Sequence, residues 1–174
     1  MSGAVPGSVS EADRRAVHRQ LGREPRGMLA VAHRCACGEP DVVKTAPRLP
    51  DGTPFPTLYY LTCPRLTSAV STLEAEGRMR QMQERLASDA ELSQRYEAAH
   101  ASYLDDRSAL EPVAEIEGIS AGGMPDRVKC LHVLVGHSLA AGPGVNPLGD
   151  EALAEISDRG LVRGLTCAQR SAEA

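Results

Sequence analysis

The sequence has few aromatic residues and few lysines. Aromatic side chains make up 3% of its 174 residues, with no tryptophan and one phenylalanine, and Lys44 and Lys129 are its two lysines. A platform of stacked aromatic rings for nucleic-acid bases is therefore hard to build. The formal net charge of −4 also argues against a general polyanion binder, because neutralising phosphates needs clustered cations. We expect no general nucleic-acid binding.

Long apolar runs are also missing. No stretch reaches the roughly 18 apolar residues of a membrane span, so none is predicted. The N-terminus lacks the basic and then apolar pattern of a secretory signal. We therefore expect a cytoplasmic protein in which cysteines stay reduced and disulfides are disfavoured. The five cysteines are Cys35, Cys37, Cys63, Cys130 and Cys167.

The overall composition is that of a globular domain. Hydrophobic residues make up 42% of the chain and charged residues 24%, which is ordinary for a folded protein. A chain of this length fits one domain with a modest core. We predict a flexible tail over residues 1–9, a single α+β domain over 10–157 and a mobile tail over 158–174.

Turn and cap signals indicate three short strands preceded by a helix. The helix is predicted from its cap, Ser10, to about Leu21. The strands are predicted over residues 28–34, 41–45 and 57–62, where β-branched and aromatic residues are frequent. They should form a small antiparallel sheet packed by several helices.

From residue 65 onward the pattern becomes helical. A long helix should carry one apolar face, formed by Leu92, Tyr96, Ala99, Tyr103 and Leu110. Residues 127–139, RVKCLHVLVGHSL, indicate a buried helix that begins at Pro125 and ends before Gly142. At about 100° per residue, this helix places Cys130 and His132 on different faces. It would then offer one convenient metal ligand.

Strand direction brings two further cysteines together. The first and third strands of a meander run the same way, so Cys35 and Cys63 should reach the same edge of the sheet. With Cys130 they form the natural trio of ligands, which Cys37, His33 or His132 would complete. Three thiolates and an imidazole suit zinc, whereas three thiolates can hold an iron–sulfur cluster. Inert buried thiols are the alternative.

A weaker pattern indicates an anion site. Gly122 and Gly123 precede the predicted helix, and Arg127 and Lys129 lie in its first turns. Free amide groups, the helix dipole and two cations would together favour a bound anion. The two glycines are equally consistent with a simple turn.

Three long motifs carry a resemblance to a known family. RCACGEPDVVKTAPRLPDGTPFPTLYYLTCPRL, LEAEGRMRQM and AGGMPDRVKCLHVLVGHSLAAGPGVNPLGDEAL resemble the bacterial family known as domain of unknown function 501, common in actinobacteria. The resemblance covers roughly residues 22–153 and implies no established activity. The family pattern falls on Cys35, Cys63, Cys130 and His132 and does not include Cys37. The resemblance therefore implies the same ligand set.

Three functions follow from these patterns. The first is a protein of unknown cellular role that binds zinc or an iron–sulfur cluster through Cys35, Cys63, Cys130 and His132. The second is an enzyme for an anionic substrate, with Cys130 or Cys63 as nucleophile and His132 or His137 as base. The third is an interaction module whose acidic helices over residues 66–110, or whose basic N-terminal helix, dock a protein partner.

Overall fold

The three predicted strands form one antiparallel meander. The structure, a computed structural model, describes residues 9–162. Its strands are β1 (Met28–Arg34), β2 (Pro40–Thr45) and β3 (Tyr59–Leu61), in the order β1-β2-β3. Val43 of the central strand pairs with Val31 on one side and with Tyr60 on the other. The predicted single α+β domain is confirmed.

Six helices within the described residues pack around this sheet. They are α1 (Glu11–Leu21), α2 (Pro64–Ala75), α3 (Arg78–Ser88), α4 (Ala90–Ser108), α5 (Leu131–Ala141) and α6 (Pro147–Asp158). Ser10 caps α1 as predicted, because its side chain accepts a hydrogen bond from the Asp13 N–H. Asn146 caps α6 in the same way, through the Gly149 N–H. None of these helices is long and apolar enough to cross a membrane.

The long helix α4 carries its predicted apolar face over most of its length. Leu92, Tyr96, Ala99 and Tyr103 are buried on it. Leu110 lies beyond the last residue of the helix and is 40% exposed. Its inclusion in the apolar face was wrong because the helix ends before the periodic pattern does.

Helix α5 lies at the centre of the core. Leu131, Leu134 and Val135 are fully buried, and α5 packs against α2, α6 and all three strands. At Gly136 a Cβ atom would lie only 3.0 Å from the Tyr59 carbonyl oxygen of β3. The absence of a side chain there allows the helix to approach the sheet closely. The prediction of a central buried helix is confirmed.

The start of α5 differs from the prediction by six residues. The helix begins at Leu131, not at Pro125. The preceding residues form a turn instead, in which the Arg127 and Lys129 N–H groups donate to the carbonyls of Gly123 and Gly122. The Val128 N–H donates to the side chain of Gln83 on α3. Because loop and side-chain acceptors hold these amides, the segment does not continue the helix toward its N-terminus.

Both predicted tails lie largely outside the described residues. Residues 1–8 and 163–174, which include Cys167, are not described. Within the predicted C-terminal tail, α6 continues to Asp158, and Leu161 and Val162 pack against the main core. The folded part therefore extends at least to residue 162.

Candidate metal centre

Two helices bring a glutamate, a cysteine and a histidine together. Glu74 lies in the last turn of α2, Cys130 is the N-cap of α5, and His132 is in the first turn of α5. One possible ligand atom from each residue lies within 4.8 Å of the others. All three residues are partly exposed, and the side chains of His132 and Glu74 keep 25% and 23% of their accessible surface. The group is held by the fold and remains open to solvent.

The separations in this group fit a metal ion. Cys130 Sγ lies 4.0 Å and Glu74 Oε1 lies 3.2 Å from His132 Nδ1. Zinc bonds of about 2.3 Å to sulfur and about 2.1 Å to nitrogen or oxygen place tetrahedral ligand atoms about 3.4–3.6 Å apart. The Sγ–Nδ1 and Oε1–Nδ1 separations each lie within about half an ångström of these values.

The other ring nitrogen of His132 faces α2. His132 Nε2 lies 3.2 Å from the Thr67 carbonyl oxygen and 3.2 Å from Ser71 Oγ. A carbonyl only accepts, so the Nε2–H donates to Thr67. Nδ1 faces Cys130 and Glu74, and a metal ion that displaces the Nδ1 proton would bind the lone pair there. Metal-binding histidines commonly donate their second N–H to a backbone carbonyl in this way.

The charges around His132 favour a cation between the three side chains. The hydrogen bond with Cys130 raises the pKa of His132, burial opposes it, and Glu74 adds to the rise, which brings the pKa to about 9. Burial raises the pKa of the Cys130 thiol, but hydrogen bonds from His132 and from the Val133 N–H lower it more. The Cys130 sulfur and the Glu74 carboxyl group thus face the same nitrogen of the His132 ring.

The sequence prediction separated Cys130 from His132, and the structure corrects this. The two residues were assigned to different faces of one helix. Cys130 instead has extended backbone, with φ −155° and ψ 108°, because it precedes the first helical residue. Its side chain can therefore turn toward His132. Glu74 was missed altogether, since it lies 58 residues from His132 in the chain and resembles the other acidic residues of α2 and α3.

Cys35 and Cys63 lie in a different place from Cys130 and His132. They line an open cavity of about 430 Å³ together with Cys37, Asp41 and Arg65. Within residues 9–162, no group of possible ligands joins this cavity to Glu74, Cys130 and His132. The four predicted ligands thus divide between two locations: Cys35 and Cys63 line the cavity, whereas Cys130 and His132 lie beside Glu74.

Cys35 and Cys37 form a disulfide. The expectation that the cysteines stay reduced is therefore wrong for this pair. A turn brings the two residues together: the Cys35 N–H donates to the Glu39 carbonyl, and the Gly38 N–H donates to the Cys35 carbonyl. Gly38 has a φ of +87°, which a glycine adopts without strain.

The predicted anion site loses the helix on which it depended. Gly122, Gly123, Arg127 and Lys129 all belong to the turn before α5. The N-terminus of α5 lies beyond them, and its Leu131 N–H donates to Glu74 Oε1 at 2.8 Å. A carboxylate of the protein already occupies the position that an external anion would take.

His137, a candidate base, lies in the core. It is fully buried, stacks on the Tyr59 ring at 5.9 Å and meets the Tyr103 ring edge-on at 5.1 Å. Burial lowers its pKa to about 4. Its Nδ1 lies 3.2 Å from Asn146 Nδ2, so it accepts a hydrogen bond as a neutral ring. This environment is typical of a structural histidine.

The structure is an α+β domain in which a cysteine, a histidine and a glutamate lie together where α2 meets α5. The model of the family described as "Protein of unknown function (DUF501)" matches residues 31–154. The chain belongs to this family, which confirms the resemblance inferred from the motifs. No curated protein and no solved structure matches the chain.

Proposed function

We propose that this protein binds a zinc ion through Glu74, Cys130 and His132. The observation that carries the proposal is the arrangement around His132, in which Cys130 and Glu74 face Nδ1 while Nε2 meets the Thr67 carbonyl. The proposal keeps Cys130 and His132 of the predicted ligand set and replaces Cys35 and Cys63 with Glu74.

The ligand types favour zinc over an iron–sulfur cluster. The group contains one thiolate, one imidazole and one carboxylate, and zinc accepts all three. Iron–sulfur clusters are held mainly by several cysteine thiolates, which this group lacks. Three protein ligands leave a fourth position for water or a substrate, which is the usual composition of a catalytic rather than a structural zinc site.

The same contacts also fit a second candidate, a metal-free enzyme with Cys130 as nucleophile and His132 as base. In such enzymes the histidine base uses one nitrogen for the nucleophile and the other for the residue that orients the ring. Here Nδ1 faces Cys130, and the second nitrogen faces Thr67 and Ser71. What favours zinc is Glu74, a second possible metal ligand at the same Nδ1.

Zinc titration of the purified protein, after treatment with a chelator, tests the proposal. We expect one zinc ion to bind per chain. The zinc affinity should fall by at least about 100-fold in Cys130→Ser, His132→Asn and Glu74→Gln. Substitution of a residue that only hydrogen-bonds a metal ligand already lowers metal affinity by about 10–100-fold. Cobalt should give a thiolate charge-transfer band that Cys130→Ser abolishes. Zinc should also protect Cys130 from alkylation.

Matched controls use the same residue types outside the group. Cys63→Ser, His100→Asn and Glu76→Gln should bind zinc as the unmodified protein does, since none of these residues belongs to the group. Circular dichroism would confirm that every variant is folded. If zinc fails to bind stoichiometrically, or if Cys130→Ser binds it equally well, the proposal is wrong.

A further inference from the structure

A second cysteine site lies at the start of α2. Cys35 and Cys37, joined by a disulfide, occupy the turn after β1, and Cys63 is the N-cap of α2 directly after β3. All three line the same open cavity of about 430 Å³. None of them belongs to the zinc group proposed above. A disulfide and a third cysteine in one cavity are the components of thiol–disulfide exchange.

The cavity is open to solvent and is lined by one arginine and one aspartate. Cys35 and Cys37 are partly exposed, so a small thiol can reach their disulfide, whereas Cys63 is only 3% exposed. Cys63 lies at the positive end of the α2 dipole. Arg65 also lines the cavity, and its buried Nε has no hydrogen-bond partner among the described residues. The thiolate is the form of a cysteine that attacks and leaves in exchange.

We propose that Cys35, Cys37 and Cys63 form a redox site that exchanges disulfides with small dithiols. A dithiol reduces the Cys35–Cys37 bond, so that two thiols form on the protein and the dithiol is released as its cyclic disulfide. Within the protein, the Cys63 thiolate attacks one sulfur of the Cys35–Cys37 bond. A bond from Cys63 to that sulfur forms, the original bond breaks, and its electron pair leaves on the other sulfur as a thiolate.

Removal of one cysteine of the pair tests the internal step. Cys37→Ser cannot form the native disulfide, and oxidised glutathione should convert it into a protein with a Cys35–Cys63 disulfide. Acid quenching, alkylation and mass spectrometry of peptides would identify the bond. All measurements use the full chain under native conditions. Cys37→Ser/Cys63→Ser should form no intramolecular disulfide, and the control Cys37→Ser/Cys167→Ser should still form the Cys35–Cys63 bond.

Dithiothreitol tests the external step. One equivalent should reduce the Cys35–Cys37 bond of the native protein, and the number of alkylated cysteines should rise by two. The proposal is overturned if native protein resists reduction while urea-unfolded protein is reduced. It is also overturned if Cys63 stays a thiol in oxidised Cys37→Ser, or if the three reduced cysteines bind zinc so tightly that glutathione does not oxidise them. Neither test involves Glu74 or His132, so the result is independent of the proposed zinc site.

Discussion

His132 and His137 lie five residues apart on α5, and their surroundings have opposite effects on a proton. His132, in the first turn, meets a thiol and a carboxylate, and its pKa is about 9. His137 lies between the rings of Tyr59 and Tyr103, and burial lowers its pKa to about 4. The contrast shows that a single helix can place one histidine beside a thiol and a carboxyl group at its start and a second, neutral histidine in the apolar core. Residue type alone does not distinguish the two.

The largest expected effect is a loss of folding stability at acid pH, caused by protonation of His137. Its pKa is about 6.5 in the unfolded chain and about 4 in the folded one, so the unfolded chain binds more protons between these values. The stability that its neutral form contributes is complete above pH 6.5 and is lost as the pH falls toward 4. Each pH unit is worth about 1.4 kcal/mol, so the loss is about 3 kcal/mol.

Urea unfolding between pH 7 and pH 4 measures this loss. His137→Gln keeps a polar side chain in place but cannot take up the proton, so its stability should fall less over the same range. Equal slopes for the two proteins would contradict the assignment of the acid-sensitive group to His137.

A smaller loss of stability is expected from Gly136→Ala, which tests only the part of α5 that packs in the core. In an exposed helix this change stabilises by about 1 kcal/mol. At Gly136 the new Cβ would lie 3.0 Å from the Tyr59 carbonyl oxygen, so we expect a loss of about 1–3 kcal/mol in the free energy of unfolding. Ser68→Ala, at an exposed position of α2, is the helix control. Stabilisation by Gly136→Ala would show that α5 does not need this close approach.

The smallest effect is expected from Ser71→Ala on α2, which tests the surroundings of His132 at the start of α5. Ser71 is exposed, and its hydroxyl is one of two groups near His132 Nε2. Since the Thr67 carbonyl remains, we expect zinc affinity to change by less than about 3-fold and stability by less than about 0.5 kcal/mol. A loss of 10-fold or more in zinc affinity would show that Ser71, rather than Thr67, orients the ring.

Local signals in the sequence predicted most of the fold. The cap Ser10 and the composition of residues 28–34 predicted α1 and the first strand correctly, because both signals depend on neighbouring residues. The start of α5 was wrong because the amides before it are bound by Gln83 and Glu74, which lie 45 and 57 residues away. No pattern in a window of the sequence contains those partners.

The candidate site was predicted only in part for the same reason. Cys130 and His132 stood out by residue type, but their relative position depended on where α5 begins. Glu74 carried no signal of its own among many acidic residues. Cys37 was predicted as one of three possible fourth ligands, whereas a turn stabilised by Gly38 joins it to Cys35 in a disulfide.

The bond between Glu74 and the Leu131 N–H also bears on the order of folding. Cys130 and His132 are near neighbours in the chain, whereas Glu74 joins them across 57 residues. Closing a segment of that length costs more entropy than forming a local turn, and contacts of long range form later. We expect the nascent chain to present only two of the three ligands. Binding of a zinc ion by all three side chains would therefore require that α2 and α5 have already packed together.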